Sequence, residues 1–267
     1  MMFNKGQITI IKKDIRSITA NKNLFWVMLI VPLFMAVVIP AVFVLIIGLA
    51  PEDSADFQEL LALLQSVDIN EPGFNLREAL LSLVLNEFIL IFFLMIPVMA
   101  ATITAASSFV GEKEKRTLET LLYCPLTLGQ TFNAKIAASF LLSQFISLLS
   151  FFVMTVVVQL IIWLTMGTLL LPGLSWLVLM ALISPALSLI AISMIVRGSA
   201  KAKSVEESYQ KSVFLVLPLF VLLGGQFTGT VSLGIGFLIG LGIACAIIGV
   251  VMLRRSSANF HYERLLL

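Results

Sequence analysis

Histidine and cysteine are scarce in this chain, and their scarcity excludes most metal and nucleophile chemistry. There is one histidine, His261, and there are two cysteines, Cys124 and Cys245. Zinc sites, haem sites and nucleophiles activated by histidine need imidazole or thiolate groups in clusters. Two cysteines so far apart in sequence also form no disulfide framework. We therefore expect this chain to hold no metal, no cofactor and no catalytic residue.

Charged residues are also few, at 12% of 267 residues, whereas 60% are apolar and the mean hydropathy is +1.07. Soluble domains carry roughly 25% charged residues, so an ordinary water-soluble globule is excluded. The net charge of +2 comes from 17 basic and 15 acidic residues. That balance does not indicate a nucleic-acid-binding surface. The composition indicates an integral membrane protein whose surroundings are the lipid bilayer.

The uncharged runs predict where the chain crosses the membrane. A spanning helix needs roughly 20 apolar residues because the hydrocarbon core is about 30 Å thick. The run 136–196 has 61 residues, which is enough for two spans and a turn at 171–173, and the run 212–253 has 42 residues with a glycine-rich hinge at 224–229. We predict an all-α membrane protein with six transmembrane helices, at 24–50, 88–110, 136–166, 175–196, 213–228 and 231–253.

The distribution of lysine and arginine predicts the orientation of these spans. Six spans return the chain to the side on which it starts, and 16 of the 17 basic residues fall on that side. Basic residues favour the cytoplasm, so both termini are predicted to be cytoplasmic in a multi-pass plasma-membrane protein. Arg77 is the exception, and it lies in segment 51–87, which is predicted to be an acidic extracellular loop. The predicted cytoplasmic segments are 1–23, 111–135, 197–212 and 254–267.

An amphipathic helix is predicted before the first span. Isoleucines recur there at spacings of three and four, at Ile8, Ile11, Ile15 and Ile18. Lys12, Lys13 and Arg16 fall mostly on the other side. This pattern is typical of a helix that lies in the inner membrane interface with its basic groups near lipid phosphates. It either anchors the chain, which is the favoured interpretation, or acts as an elbow that transmits force into the first span.

The polar groups inside the predicted spans are uncharged hydroxyl and amide side chains. No charged residue lies well inside a span, and Glu87 is at the edge of the second. Proton-coupled and ion-coupled carriers commonly need such a residue, so a self-powered carrier is disfavoured. Hydroxyl and amide side chains on the second and third spans either join helices by hydrogen bonds or line a pathway. Gly236 and Gly240 form a GxxxG pattern on the sixth span, which predicts close approach of another helix.

The most informative stretch lies in the predicted cytoplasmic loop between the second and third spans. Thr117 can cap a short helix that ends near Pro125. Leu118, Leu121 and Leu122 share one face of that helix. A short helix with an apolar face and flanking charges suits docking into another protein. The alternative is a helix that lies on lipid.

This stretch resembles the segment E-x-E-x-G-T-L-E-x-L-L-x-x-P that joins the second and third spans in type 2 permeases of ABC exporters. The matching residues are Glu112, Glu114, Thr117, Leu118, Glu119, Leu121, Leu122 and Pro125. Arg116 stands where that family often has glycine, so the backbone can enter the helix differently. The resemblance extends over the chain, including the N-terminal helix and the basic tail. It implies a type V ABC exporter-like fold with one transmembrane domain, residues 1–267.

The resemblance implies that this segment is a coupling helix seated in a cleft of an ABC ATPase subunit. The three leucines would be its apolar contacts, while Glu112, Glu114 and Glu119 would pair with basic groups. The phosphate-binding motif G-x-x-x-x-G-K-[ST] is absent from this sequence, so ATP and Mg are expected in a separate ATPase. A second copy or a related permease would complete the pathway. Pathway candidates are Thr102, Thr104, Ser143, Gln144, Gln226 and Thr228.

The predicted function is therefore that of a permease subunit in an ATP-driven exporter. A drug, a peptide or a lipid is favoured as cargo over sodium, because the spans carry no buried charge. A membrane-embedded enzyme is disfavoured because no span carries a His, Asp or Lys to pair with a serine nucleophile. A non-transporting membrane subunit that serves sensing or immunity would have the same fold, so it stays open as the alternative.

Overall fold

The computed structural model describes residues 4–49, 76–114, 126–199, 204–227 and 234–258. Within these ranges the secondary structure is helical and contains no β-strand, which confirms the all-α prediction for this part of the chain. In chain order, the elements are α1 (Lys5–Ala20), α2 (Lys22–Leu49), α3 (Leu76–Leu83), a π-helical turn (Val84–Phe88), α4 (Ile89–Phe93), α5 (Met95–Glu114), α6 (Leu128–Met166), α7 (Leu174–Val178), a second π-helical turn (Leu179–Ile183), α8 (Ser184–Ser199), α9 (Val205–Phe227) and α10 (Ile235–Ala258).

Several of these helices are long and apolar enough to cross a membrane. Among the described residues there are five such candidates: Phe25–Leu49, Arg77–Glu112, Gly129–Met166, Leu174–Ser199 and Ile235–Ser256. The predicted fifth span corresponds to α9, whose apolar part, Phe214–Gln226, is shorter. The first turns of α9 carry charges at Glu206, Glu207 and Lys211. The structure therefore shows a multi-pass helical membrane protein with five clear candidate spans.

Three helices begin well before their predicted spans, and one of them is α9, which begins at Val205 rather than at residue 213. The second span was predicted to begin at residue 88, but its helix begins at Leu76, so residues 76–87 are helical rather than part of a loop. The helix of the third predicted span, α6, begins at Leu128 rather than at residue 136. Charged residues end a membrane-buried stretch, but they do not end a helix, because a helix satisfies its backbone hydrogen bonds internally in water and in lipid alike.

The ends of α6 have identifiable causes. At its start, Thr127 and Gln130 form a capping box, in which the Gln130 N–H donates to Thr127 Oγ1 at 3.4 Å and the Thr127 N–H donates to Gln130 Oε1 at 3.1 Å. At its end, Gly167 has a φ of 70°, a left-handed conformation that stops a helix and favours glycine. The chain then turns into α7 through residues 167–173, in the region where the sequence predicts a turn.

The second span is the centre of the bundle. In its most apolar stretch 61% of the residues are buried, against 17% in α10 and 28% in α2. Helix α5 contacts α2, α6, α8 and α9. The outer helices present large apolar side chains to the outside, among them Trp26, Phe34 and Ile247. Such a surface is stable in lipid or against a second chain, and costly in water.

Helix α10 packs against α8, the second π-helical turn and α7. Its close contacts are at glycines other than the predicted Gly236 and Gly240. Among the described residues, a Cβ added at Gly236 or Gly240 would meet nothing within 4 Å, so the GxxxG pair makes no close approach to them. A Cβ at Gly249 would instead lie 3.2 Å from the carbonyl oxygen of Ala186, and one at Gly242 would lie 2.6 Å from Leu182 Cδ2. The close contacts described on this helix are therefore at other glycines, and the approach of a second chain to Gly236 and Gly240 stays a prediction.

Helix α1 packs against α6 rather than lying free of the bundle. Its buried side consists of Gln7, Ile10, Asp14 and Ile18, whereas Ile8 is exposed. The predicted isoleucine stripe therefore coincides with the buried face only in part, because Ile18 is buried and Ile15 packs against the core, whereas Ile8 is exposed. That face includes one polar and one charged residue, whose partners lie on α5 and α6.

Candidate functional site

A cluster of charged side chains joins three helices next to the predicted coupling segment. It consists of Lys13 and Asp14 on α1, Glu112 on α5 and Lys135 on α6, and we call it the charge cluster. Ser108 lies one helical turn before Glu112 and also takes part. Helix α5 brings these two residues to one face because residues four apart on a helix are neighbours.

Lys135 is the centre of the charge cluster. Its Nζ lies 2.9 Å from Glu112 Oε1 and 3.2 Å from Asp14 Oδ2. It also donates to the backbone carbonyl of Ser108 at 3.0 Å, and the Ser108 hydroxyl donates to Asp14 Oδ2 at 2.7 Å. The side chains of Lys135 and Asp14 are only 5% and 4% exposed. One ammonium group therefore contacts carboxylates from two different helices in a space with little water.

Among the described residues, two lysines oppose two carboxylates in this cluster. Lys13 Nζ lies 2.9 Å from the same Glu112 Oε1 that Lys135 contacts. The Lys135 ammonium also lies 5.8 Å from the centroid of the Phe109 ring, within range of a cation–π contact. Removing one partner of a buried ion pair leaves an uncompensated charge and costs about 3–5 kcal/mol. The arrangement therefore holds α1, α5 and α6 in one register.

Of the predicted coupling residues, the structure describes Glu112 and Glu114. Glu112 belongs to the charge cluster, and a Glu114 carboxylate oxygen accepts from the N–H of Val205 at 3.4 Å, where α9 begins. Both contacts are within this chain, so the predicted pairing of these glutamates with a partner subunit would compete with them. The other predicted coupling residues lie outside the described residues: Arg116, Thr117, Leu118, Glu119, Leu121, Leu122 and Pro125.

The far end of the same segment also contacts α1. The side chain of Leu126 lies against Gly6, where an added Cβ would be 3.0 Å from Leu126 Cδ2. The Gln7 amide donates to the backbone carbonyl of Gln130 at 3.2 Å. Helix α1 therefore contacts residues on both sides of segment 115–125: Leu126 and Gln130 after it, and the charge cluster before it.

Three of the predicted pathway residues form hydrogen bonds inside the helix bundle. The hydroxyls of Thr102, Thr104 and Ser143 each donate to a carbonyl of their own helix, at 2.8, 2.8 and 2.9 Å. Thr104 also lies 3.2 Å from the carbonyl of Ser139 on α6. None of the three is more than 2% exposed. Of the hydrogen bonds described for these three hydroxyls, the one from Thr104 to Ser139 joins two helices. Their burial keeps cargo away from all three in this conformation.

The two glutamines join helices as well. The Gln144 amide donates to the Ser188 hydroxyl at 2.8 Å, and the Ser184 hydroxyl donates to Gln144 Oε1 at 3.3 Å, which ties α6 to α8. Gln226, near the end of α9, donates to the carboxylate of Glu87 in the first π-helical turn. The remaining pathway candidate, Thr228, lies outside the described residues.

A shallow apolar cleft lies between α2, the second span and α6. Its lining contains four flexible methionines, Met35, Met95, Met99 and Met154, together with aliphatic and aromatic side chains and Pro40. Methionine side chains adapt to ligands of irregular shape. The cleft has the chemistry of a site for a hydrophobic group, and the sequence pattern did not indicate it because its lining comes from separate helices.

The charge cluster is the feature that the sequence interpretation missed. The sequence pattern does not single out Asp14, and it places Lys135 in the predicted cytoplasmic loop 111–135. One signal was present: Asp14 lies four residues from both Ile10 and Ile18, on what becomes the buried side of α1. An acid at such a position needs a buried partner.

Among the described residues, no group of three or more His, Cys, Asp and Glu side chains could hold a metal ion.

Comparison with known proteins identifies the family. No curated protein matches this sequence, and no solved structure matches it. The family described as ABC-2 family transporter protein matches residues 8–253. The matched stretch runs from α1 into α10 and includes the charge cluster and the predicted coupling segment. The chain belongs to the ABC-2 family of transporter proteins, as a membrane permease.

Proposed function

We propose that this chain is the membrane-spanning subunit of an ATP-driven ABC exporter that couples to a separate ATPase. The observation that carries the proposal is the motif that begins at Glu112 in a chain of the ABC-2 family. Residues 117–125 would form the coupling helix, with Leu118, Leu121 and Leu122 in a cleft of the ATPase. ATP and Mg would bind in that partner subunit. The chain would lie in the plasma membrane with both termini in the cytoplasm.

The contacts of the glutamates that precede the predicted coupling helix support this proposal. Glu112 belongs to the charge cluster, and a Glu114 carboxylate oxygen accepts from the N–H of Val205 at the start of α9. A loop that transmits movement must be connected to the helices that it moves. Two copies of the chain, or one copy with a related permease, would enclose the pathway. ATP would bias the pair toward one access state by binding that state more tightly.

The proposed cargo is a hydrophobic or amphipathic compound such as a drug, a peptide or a lipid. The methionine-lined cleft supports this class, because it offers apolar surface and no fixed charge. The six predicted polar pathway residues stay part of this proposal, and cargo would reach the buried ones in another conformation: Thr102, Thr104, Ser143, Gln144, Gln226 and Thr228. A non-transporting role in sensing or immunity is the second candidate, and transport or resistance assays would separate it from export.

Affinity purification tests the coupling to an ATPase. The tagged chain is solubilised from its native host in mild detergent, and the co-purifying proteins are identified by mass spectrometry. We expect the wild type to bring down an ABC ATPase, and Leu121→Glu plus Leu122→Glu to lose it, because two carboxylates cannot enter an apolar cleft.

Leu60→Glu plus Leu61→Glu is the matched control. It makes the same chemical change in segment 51–87, which is predicted to lie on the other side of the membrane, and it should keep the ATPase. If the wild type brings down no ABC ATPase under conditions that preserve complexes, the proposal fails. The segment would then be better explained as a helix that lies on lipid.

A further inference from the structure

Glu87 is an acidic residue among apolar ones. It lies at the edge of the predicted second span, but ten residues inside the candidate span Arg77–Glu112, which is about 15 Å along the helix. Its neighbours Leu85 and Phe88 are buried, at 7% exposed each. A carboxylate in such surroundings is costly unless a partner compensates its charge. An ionisable residue inside a span therefore indicates a functional site, and its partner has to be identified.

The partner that the structure describes for Glu87 is neutral. The side-chain amide of Gln226, near the end of α9, donates to the Glu87 carboxylate. Among the described residues, no lysine or arginine forms an ion pair with this carboxylate. In the charge cluster, by contrast, the carboxylates of Asp14 and Glu112 both contact Lys135. Within the described part of the chain, the negative charge of Glu87 is therefore uncompensated.

Gln226 provides a second acceptor beside this carboxylate. The residue is only 8% exposed, and its Oε1 is buried without a hydrogen-bond donor among the residues that the structure describes. The nitrogen and the oxygen of a side-chain amide share one carbon, so Oε1 lies next to the carboxylate that the nitrogen contacts. A buried acceptor without a donor is also costly. The pair therefore suits a ligand that brings both hydrogen-bond donors and a positive charge.

The surroundings of the pair also favour a cation. Glu87 lies in the first π-helical turn, Val84–Phe88, and π-helical turns inside α-helices are frequent at functional sites. Segment 51–87, which is predicted to lie outside, has eight acidic residues and one basic residue in its sequence. A region with charges of one sign raises the local concentration of ions of the opposite sign.

We propose that Glu87 and Gln226 bind a protonated amine at the predicted outer end of the second span, so that the cargo is an amphipathic amine. The ammonium group would donate to the Glu87 carboxylate and to Gln226 Oε1. One carboxylate balances one positive charge, and two side chains supply too few oxygens to surround a bare metal ion. That the amine is cargo rests on the proposed function, whereas its binding rests on the pair itself.

Binding of n-octylammonium to the full chain in lipid nanodiscs tests the proposal without any ATPase. Isothermal titration measures it against protein-free nanodiscs, and n-octanol is the neutral probe with the same apolar tail. We expect Glu87→Gln to weaken octylammonium binding by about tenfold, the order expected for the loss of a charge-assisted hydrogen bond. Octanol binding should stay unchanged. Gln226→Leu should also weaken the binding of octylammonium and not of octanol.

Glu78→Gln is the matched control. It removes the same charge nine residues earlier in the same candidate span, about 13 Å away along the helix. Salt screens a charge at that distance, so octylammonium should bind this variant within about twofold of the wild type. Glu87→Asp keeps the charge at the site and should retain most of the binding, which separates loss of the charge from loss of the fold.

The opposite results overturn the proposal. If Glu87→Gln binds octylammonium as tightly as the wild type, or if Glu78→Gln weakens it equally, the pair is not the site. If sodium chloride displaces octylammonium and tetramethylammonium chloride at equal ionic strength does not, the site is one for sodium, and the amine is wrong.

The role of the amine as cargo has its own readout. Octylammonium should stimulate ATP hydrolysis by the complex with the co-purified ATPase, and Glu87→Gln should lose this stimulation. Binding without stimulation would show that the amine is not cargo. Failure of the proposed function would look different, because no ABC ATPase would co-purify while octylammonium binding still depended on Glu87.

Discussion

Two lysines contact the same carboxylate oxygen of Glu112, and they differ in their surroundings. Lys135 is 5% exposed and also contacts Asp14, whereas Lys13 is 54% exposed. Exposed ion pairs contribute about 0–1 kcal/mol because water and salt screen them. A buried pair loses much more when one partner is removed, because the remaining charge has no solvent to stabilise it. Substitutions at Lys13 and Lys135 therefore compare a lysine–glutamate ion pair at an exposed position with one at a buried position.

We expect Lys135→Met to lower the free energy of unfolding by about 3–5 kcal/mol. Lys13→Met should lower it by no more than about 1 kcal/mol. Methionine keeps a similar length without the charge, so the comparison isolates the ammonium group. Thermal unfolding of the purified variants in the same detergent measures the difference. Equal losses for the two variants would show that burial does not decide the strength of this cluster.

At the scale of elements, the register of α10 against α8 depends on the absence of a side chain at Gly249. An added Cβ there would meet backbone, at 3.2 Å from the Ala186 carbonyl oxygen, and Leu189 Cβ at 3.3 Å. Backbone atoms cannot rotate away as a side chain can. At Gly240, on the same helix, none of the described residues comes within 4 Å of an added Cβ.

Gly249→Leu should therefore push α10 away from α8 and destabilise the protein by about 1–3 kcal/mol, the usual cost of overpacking. Gly240→Leu adds the same atoms to the same helix and should be tolerated. Expression as a monodisperse peak in size-exclusion chromatography, followed by thermal unfolding, compares them. A larger loss with Gly240→Leu would mean that this face of α10 contacts something outside the chain, such as a second copy.

At the scale of the whole molecule, the apolar outer faces of α2, α6 and α10 require a membrane, and the basic residues predict which way the bundle faces. Segment 51–87 is predicted outside, and segment 111–135 is predicted inside with Cys124 in it. Cys245 lies in α10 and is only partly exposed. The two natural cysteines thus leave a simple background for measuring topology.

We expect a membrane-impermeant maleimide to label Ser54→Cys in intact cells, in a background of Cys124→Ser and Cys245→Ser. Cys124, in a background of Cys245→Ser alone, should react only after the membrane is opened, because the cytoplasmic side is then accessible. The variant without cysteine is the control for unspecific labelling. Labelling of Cys124 from outside in intact cells would reverse the predicted orientation.

Composition and the lengths of uncharged runs indicated a helical membrane protein, because roughly 20 apolar residues in a helix cross about 30 Å of hydrocarbon. The residue order at 112–125 indicated the permease family. The tertiary structure decided which polar groups are buried together, since Asp14, Glu112 and Lys135 are far apart in sequence. It also decided that Thr104 contacts a second helix, and that Gly249 rather than Gly240 makes the close contact among the described residues. Hydropathy depends on residue type alone, whereas partners depend on which helix faces which.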